Sequence, residues 1–319
     1  MSEVKQAKKE ITPEEMKEIK AVDTMCRPFY FDLEYLKSMF GKYEFQIMLA
    51  STFGGVLKKV GIENLKDGWK AMLGMGVKGS MKEALAEMDE VGVDYACVDQ
   101  MYCRSIHHDG ESCGGDATIE QIAQWNKESG GKIVGGVGYN PLRIEESLKD
   151  VERAVKEYGF KYVWIHTGGF GLTANDRRYY PLYTKCLELG IPVCMQTGQS
   201  AEPLPSEQMR PMYADEIAMN FPHLTLVLTH TGWPWVTEWI SMVWRHPNVY
   251  GNIGAYMPSS LDPALVRFMD GPGREKVFWA TNGLGFTRCK KEVLELPIRD
   301  ATKKAVLRDN AMRVFKLEK

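Results

Sequence analysis

From about residue 80 onward the hydrophobic pattern alternates between two periods. Stretches with apolar positions three and four apart give way, after a glycine, to short runs that are apolar at nearly every position. MKEALAEMDEVG leads to VDYACVD, VERAVKEYG to FKYVWIH, and YTKCLELG to IPVCMQT. The first kind of stretch predicts an amphipathic helix. In the middle unit Ile144, Leu148, Val151, Val155 and Tyr158 form one such stripe. The second kind predicts a strand buried on both faces, as in a parallel sheet. Gly92, Gly159 and Gly190 stand where a helix ends, a place that favours the left-handed backbone open to glycine.

Eight strand-like runs can be counted: KAVD at 20–23, DYACVD at 94–99, KIVGGVGY at 132–139, YVWIH at 162–166, PVCMQT at 192–197, LTLVLTH at 224–230, NVYGNIG at 248–254 and KVFWATN at 276–282. Helix signals separate nearly all of them, including a capping box from Thr118 to Gln121 and an Asp262-Pro263 start. Eight β/α units in 319 residues predict a single (β/α)8 TIM barrel of class α/β over 1–319. A doubly wound open sheet is the alternative, but no glycine-rich phosphate loop follows an early strand. Residues 28–80 break the rhythm, and a connection this long after strand 1 is expected to be a helical insertion or lid over the barrel mouth.

Composition removes several partners. With 40 basic and 42 acidic residues, intermixed, there is no basic stripe for nucleic acid and no acidic tail. No apolar run reaches the length of a membrane span, and the charged start MSEVKQAKKEITPEEMKEIK lacks the apolar region of a signal peptide. The seven cysteines show no CxxC pair, so reduced thiols and a cytoplasmic location are expected. The anticipated partner is a small-molecule substrate, with a homodimer plausible from the long insertion.

In a barrel the C-terminal ends of the strands converge on one pocket, so these ends hold the candidate chemistry. They are Asp23, Met25 and Arg27, then Asp99, Tyr139 and Asn140, His166, Gln196, His230, Asn252 and Asn282. Several ordered stretches here resemble the amidohydrolase-related barrels that include decarboxylases of amino-carboxymuconate semialdehyde and resorcylate. GFKYVWIHTG resembles the fourth strand of that family, PLYTKCLELGIPVCMQTG the fifth and LTLVLTHTGWPW the sixth. FWATNGLGF resembles its eighth-strand turn and LRDNAMRVFKL its last helix. The resemblance implies a D-x-H-x-H opening whose histidines bind a metal. In DTMCR, Asp23 fits this pattern while Met25 and Arg27 stand in the histidine places. Gln196 takes the place of the fifth-strand histidine and Asn282 that of the eighth-strand aspartate. His230 keeps its family identity.

A thioether, two amides and a permanent cation make a poor zinc site, so neither metal nor cofactor is expected. Arg27 puts fixed positive charge where the divalent ion would be, suited to an anionic group. His230 is the expected acid/base, and Asp23 is expected to orient it or to bind Arg27, the three forming the catalytic set. His166, Gln196 and Asn282 are expected to bind substrate. So are Arg104 and His107 in the loop after strand 2, and Trp233 as a stacking surface. Cys103, His107, His108, Asp109 and Cys113 in that loop lack standard metal spacing. The expected activity is lyase (decarboxylase-like), isomerase or hydrolase chemistry on a small cyclic or aromatic carboxylic acid or lactone. Without a Lewis acid to make hydroxide, proton transfer is favoured over hydrolysis. The alternatives are a catalytically silent ligand-binding barrel and a hydrolase with a non-standard metal site.

Overall fold

The computed structural model describes residues 11–59, 61, 64–105, 107, 112, 113 and 117–318. Eight parallel strands follow one another in chain order: β1 (Ala21–Asp23), β2 (Val93–Asp99), β3 (Ile133–Gly138), β4 (Tyr162–Ile165), β5 (Val193–Gln196), β6 (Leu226–Thr229), β7 (Val249–Asn252) and β8 (Val277–Phe278). Seven of the eight expected runs contain one of them, and the run at 94–99 covers β2 except its first residue, Val93. The first and last are tied just past their ends, where Thr24 N–H and its hydroxyl both donate to the Trp279 carbonyl (3.2 and 2.8 Å) and Asn282 N–H donates to Met25 O (2.8 Å). The arrangement is that of the (β/α)8 barrel.

The helices are α1 (Pro13–Glu18), α2 (Leu33–Phe40), α3 (Tyr43–Lys59), α4 (Trp69–Gly74), α5 (Met81–Val91), α6 (Ile119–Glu128), α7 (Ile144–Tyr158), α8 (Tyr180–Leu189), α9 (Ala214–Asn220), α10 (Val236–Arg245), α11 (Pro263–Met269) and α12 (Phe286–Leu294). A further helical segment covers 300–314. Helices α5, α7 and α8 end on Gly92, Gly159 and Gly190 with φ of 68°, 70° and 66°, as the sequence pattern predicts. Thr118 accepts from Gln121 N–H to start α6, and Asp262 accepts from Ala264 N–H to start α11. Residues 28–80 carry α2, α3 and α4 between β1 and α5.

Two features correct or limit the sequence reading. Cys103 and Cys113 form a disulfide, so the expectation of reduced thiols throughout fails for this pair. The cause is a local antiparallel bridge between Arg104 and Ser112, with Cys113 N–H donating to Cys103 O at 3.0 Å. Sequence spacing alone does not reveal such a bridge. The other five cysteines are buried free thiols. His108 and Asp109 lie outside the described residues, within which no helix is long and apolar enough to cross a membrane.

The β3–β4 contact carries the fold into the site. Gly136 on β3 leaves room for the Tyr162 ring of β4, because a Cβ at 136 would stand 2.3 Å from Tyr162 Cζ. That clearance lets the Tyr162 hydroxyl reach Asp99 at the end of β2 (3.1 Å). Gly136→Ala is therefore expected to displace the ring and lower unfolding free energy by roughly 1–3 kcal/mol, read from urea midpoints at constant slope.

Candidate active site

The strand ends surround a cavity of about 300 Å³. Its floor includes Arg27, His166, Gln196, His230 and Asn282, each from the end of a different strand. Residues 28–80 supply much of the apolar wall: Tyr35, Met39, Phe45, Met48 and Met72. Thioethers suit such a wall, since they are polarisable and adapt to irregular shapes. A larger groove of about 810 Å³, lined by Lys20, Asp94 and Lys132, opens at the opposite, N-terminal end of the strands. Chemistry in this architecture sits at the C-terminal ends, so the smaller cavity is the candidate site.

Arg27 is the fixed point of the floor. Its Nη1 donates to Asp99 Oδ1 at 2.8 Å, its Nε to Asn282 Oδ1 at 2.8 Å, and its Nη2 to the Met25 sulfur at 3.3 Å. One face of the guanidinium lies over the Trp164 ring, 4.7 Å from its centroid. Both ends of the ion pair are buried. Burial raises the pKa of Asp99, opposed by the charge of Arg27, the Tyr162 hydroxyl and the Arg27 hydrogen bond. A guanidinium has five N–H donors, so two remain beyond these three contacts.

Two imidazoles share the cavity. His230 follows β6 with positive φ (66°), its own N–H held by Asn252 Oδ1 at 2.8 Å. His166 follows β4, and its Nδ1 accepts from Gly169 N–H at 2.9 Å. Burial pushes both rings towards the neutral form. His166 falls to about 4, lowered first by burial and then by Arg27, with Glu202 at the rim working in the opposite direction. His230 lies well below the ordinary histidine range through burial, Arg27 and His166. The Gln196 side chain faces the cavity with no hydrogen-bond partner among the described residues.

Other expected site residues are placed differently. Asp23 contacts neither histidine. Its oxygens accept from Thr281 N–H (2.9 Å), the Thr281 hydroxyl and Met25 N–H (3.0 Å), which pins β1 to the turn after β8. Arg104 and His107 are exposed and outside the cavity lining, the His107 ring packing on Tyr43 at 4.6 Å. Trp233 is 50% exposed and also outside it, because the chain turns at Gly232 (φ 71°) and carries the indole away. Sequence reasoning missed the role of Asp99 as the counter-charge of Arg27, together with Trp164, Glu202 and Tyr256 in the lining. Asp99 is visible as a strand end. The pairing across 72 residues is not.

Residues 77–317 match the sequence model of the amidohydrolase family. No curated protein is similar enough to count as a match. Among solved structures, an uncharacterized TIM-barrel protein from Bordetella bronchiseptica superposes with a TM-score of 0.69 at 22% identity, covering 93% of this chain and 99% of that one. A 5-carboxyvanillate decarboxylase from Sphingomonas paucimobilis gives 0.64 at 14% identity, covering 94% and 100%. One from Novosphingobium aromaticivorans, complexed with manganese and 4-hydroxy-3-methoxy-5-nitrobenzoic acid, gives 0.59 at 15% identity, covering 93% and 96%. At these identities the likeness concerns the fold.

Asp23 gives the site a pH signature. Burial raises its pKa to about 6, against the lowering effect of the Thr281 and Met25 hydrogen bonds and of Arg27. An unfolded aspartate releases its proton near pH 4, so between about 4 and 6 the folded chain holds a proton that the unfolded chain has lost. Its stabilising contribution is complete below pH 4 and is lost as pH rises through 6, a change of ~3 kcal/mol. Asp23→Asn keeps an acceptor oxygen and is expected to flatten the stability profile by about that amount, in urea titrations from pH 4 to 7.

Proposed function

The chain belongs to the amidohydrolase family, and from that premise we propose that it is a metal-independent enzyme of that family. Its substrate is a small cyclic or aromatic carboxylic acid or lactone, transformed by lyase chemistry of the decarboxylase kind or by related proton transfer. His230 moves the proton, Arg27 holds an anionic or developing anionic oxygen, and His166, Gln196 and Asn282 orient the substrate. The observation that carries this reading is a guanidinium, ion-paired to Asp99, in the same cavity floor as a neutral cavity-facing histidine.

The manganese of the Novosphingobium relative makes the donor set a direct question. The cavity holds the imidazoles of His166 and His230 with Glu202 at its rim, but among the described residues no three His, Cys, Asp or Glu side chains are grouped to hold a metal ion. The other strand ends offer a guanidinium, a thioether already contacting that guanidinium, an amide oxygen accepting from it, and the amide of Gln196. Asp23 has both oxygens engaged by Thr281 and Met25. A divalent cation prefers imidazole, thiolate or free carboxylate and is repelled by the fixed charge of Arg27, so these residues do not fit it. No step is routed through a metal.

Apolar and aromatic walls from 28–80 suit a flat hydrophobic substrate body, and in this proposal that segment is the lid. Five buried free thiols favour a cytoplasmic setting against the single Cys103–Cys113 disulfide, and the lid is the surface on which a homodimer would form.

Two outcomes test the proposal. The protein as purified without chelator is expected to contain no stoichiometric transition metal by elemental analysis and to keep its turnover of a candidate acid, such as 2,6-dihydroxybenzoate, after chelation. His230→Asn is expected to lower kcat by about 10²–10⁴ while leaving the unfolding midpoint nearly unchanged. If turnover returns only with manganese, the reading fails. If His230→Asn retains full turnover, the histidine has no proton-transfer role.

A further inference from the structure

The hydrogen bonds around the two cavity histidines fix which ring nitrogen of each carries the hydrogen. At His166 the Nδ1 accepts a backbone N–H from Gly169, so in the neutral ring the hydrogen resides on Nε2. At His230 the argument passes through Thr229. The Thr229 hydroxyl donates its single hydrogen to the Met195 carbonyl at 2.9 Å. Towards His230 Nδ1, at 3.3 Å, the same oxygen can then only accept. The His230 hydrogen is therefore on Nδ1 and the Nε2 lone pair is free. The two rings hold opposite tautomers, and no other protein group engages either Nε2 among the described residues. Both rings line the same cavity.

Resting on the proposed function, we infer that His166 is a second catalytic residue, an oxyanion donor working with His230 as base, and that the site forms and stabilises an enolate. A neutral imidazole N–H is too weak an acid to give up its proton outright, but it is an effective hydrogen-bond donor to developing negative charge. The substrate class is a carbonyl compound with a hydrogen on the adjacent carbon.

The step balances within the cavity. His230 Nε2 takes the proton from the α-carbon, and the C–H electron pair becomes the C=C bond. The carbonyl π pair moves onto oxygen, which accepts from His166 Nε2–H. An imidazolium and an enolate form together, so the buried cavity gains no net charge. Return of the proton to the same or a conjugated carbon restores neutral His230. The step therefore adds no net charge to a floor where Arg27 is already paired with Asp99.

Two measurements on the full chain test this. The first needs no ligand: long-range ¹H–¹⁵N spectra of histidine-labelled protein at pH 7, with the six histidines distinguished by single substitutions. The expected result is neutral rings at both sites, with hydrogen on Nε2 of His166 and on Nδ1 of His230. Hydrogen on Nε2 of His230, or a charged ring at either site, overturns the inference. The second follows deuterium uptake at the methylene carbon of phenylpyruvate in D₂O by proton NMR. Wild-type protein is expected to accelerate exchange, and His166→Asn and His230→Asn each to reduce the acceleration at least 100-fold. No acceleration by wild type, or an undiminished rate in His166→Asn, also overturns it. If His166→Asn fails to fold, the wild-type tautomers still decide. The proposed function fails separately, on metal content or on turnover by His230→Asn.

Discussion

The buried ion pair between Arg27 and Asp99 sets the terms for everything else at the mouth of this barrel. A guanidinium without a counter-charge is costly to bury, and breaking such a pair from one side costs roughly 3–5 kcal/mol. The strand ends are arranged to avoid that cost. Asp99 is backed by Tyr162, Tyr162 is accommodated by Gly136, and Arg27 is held on its other edge by Asn282 and over its face by Trp164. Four strands and the turn after β8 thus contribute to one charge pair. Its position fixes the electrostatics felt by both imidazoles, since Arg27 lowers the pKa of each.

This arrangement separates two jobs that a bound cation would combine. A divalent ion both polarises an oxygen and lowers the pKa of water. Arg27 can polarise but cannot make hydroxide, and the nearby bases are neutral histidines disfavoured from charging. The proposed proton transfer between substrate and imidazole asks of this floor only what a fixed cation and two neutral rings can supply. Asp23 lies away from the histidines. With Arg27 taken up by Asp99, the Asp23 carboxylate is free to close the barrel by accepting from Thr281 and Met25.

Much of this was legible in the sequence because it follows from local periodicity. The eight strands and the helix-ending glycines come from hydrophobic spacing and from backbone that favours glycine, so Arg27, His166, Gln196, His230 and Asn282 were found by being strand ends. What was not legible depends on contacts between distant segments or on the path of a loop. Asp99 gave no sign that its charge belongs to Arg27. Cys103 and Cys113 gave none of the disulfide that joins them, because nine intervening residues allow many separations of the two ends. Trp233 was expected to stack in the site through its nearness to His230 in sequence, yet one glycine at 232 redirects the chain. Arg104 and His107 fell in a loop whose outward course no hydrophobic pattern records.

The wall formed by 28–80 shows how the remaining specificity is divided. Its methionines and aromatics share no period with the barrel, yet Met39, Met48 and Met72 reach the cavity whose polar floor they do not touch by hydrogen bond. Polar atoms on the floor fix which atom of a ligand reacts. A flexible thioether wall fixes only its approximate volume and the exclusion of water. Burial is the first cause of the lowered pKa of both His166 and His230, and it favours their neutral forms. The segment least predictable from the barrel repeat therefore contributes to the burial that lowers both imidazole pKa values.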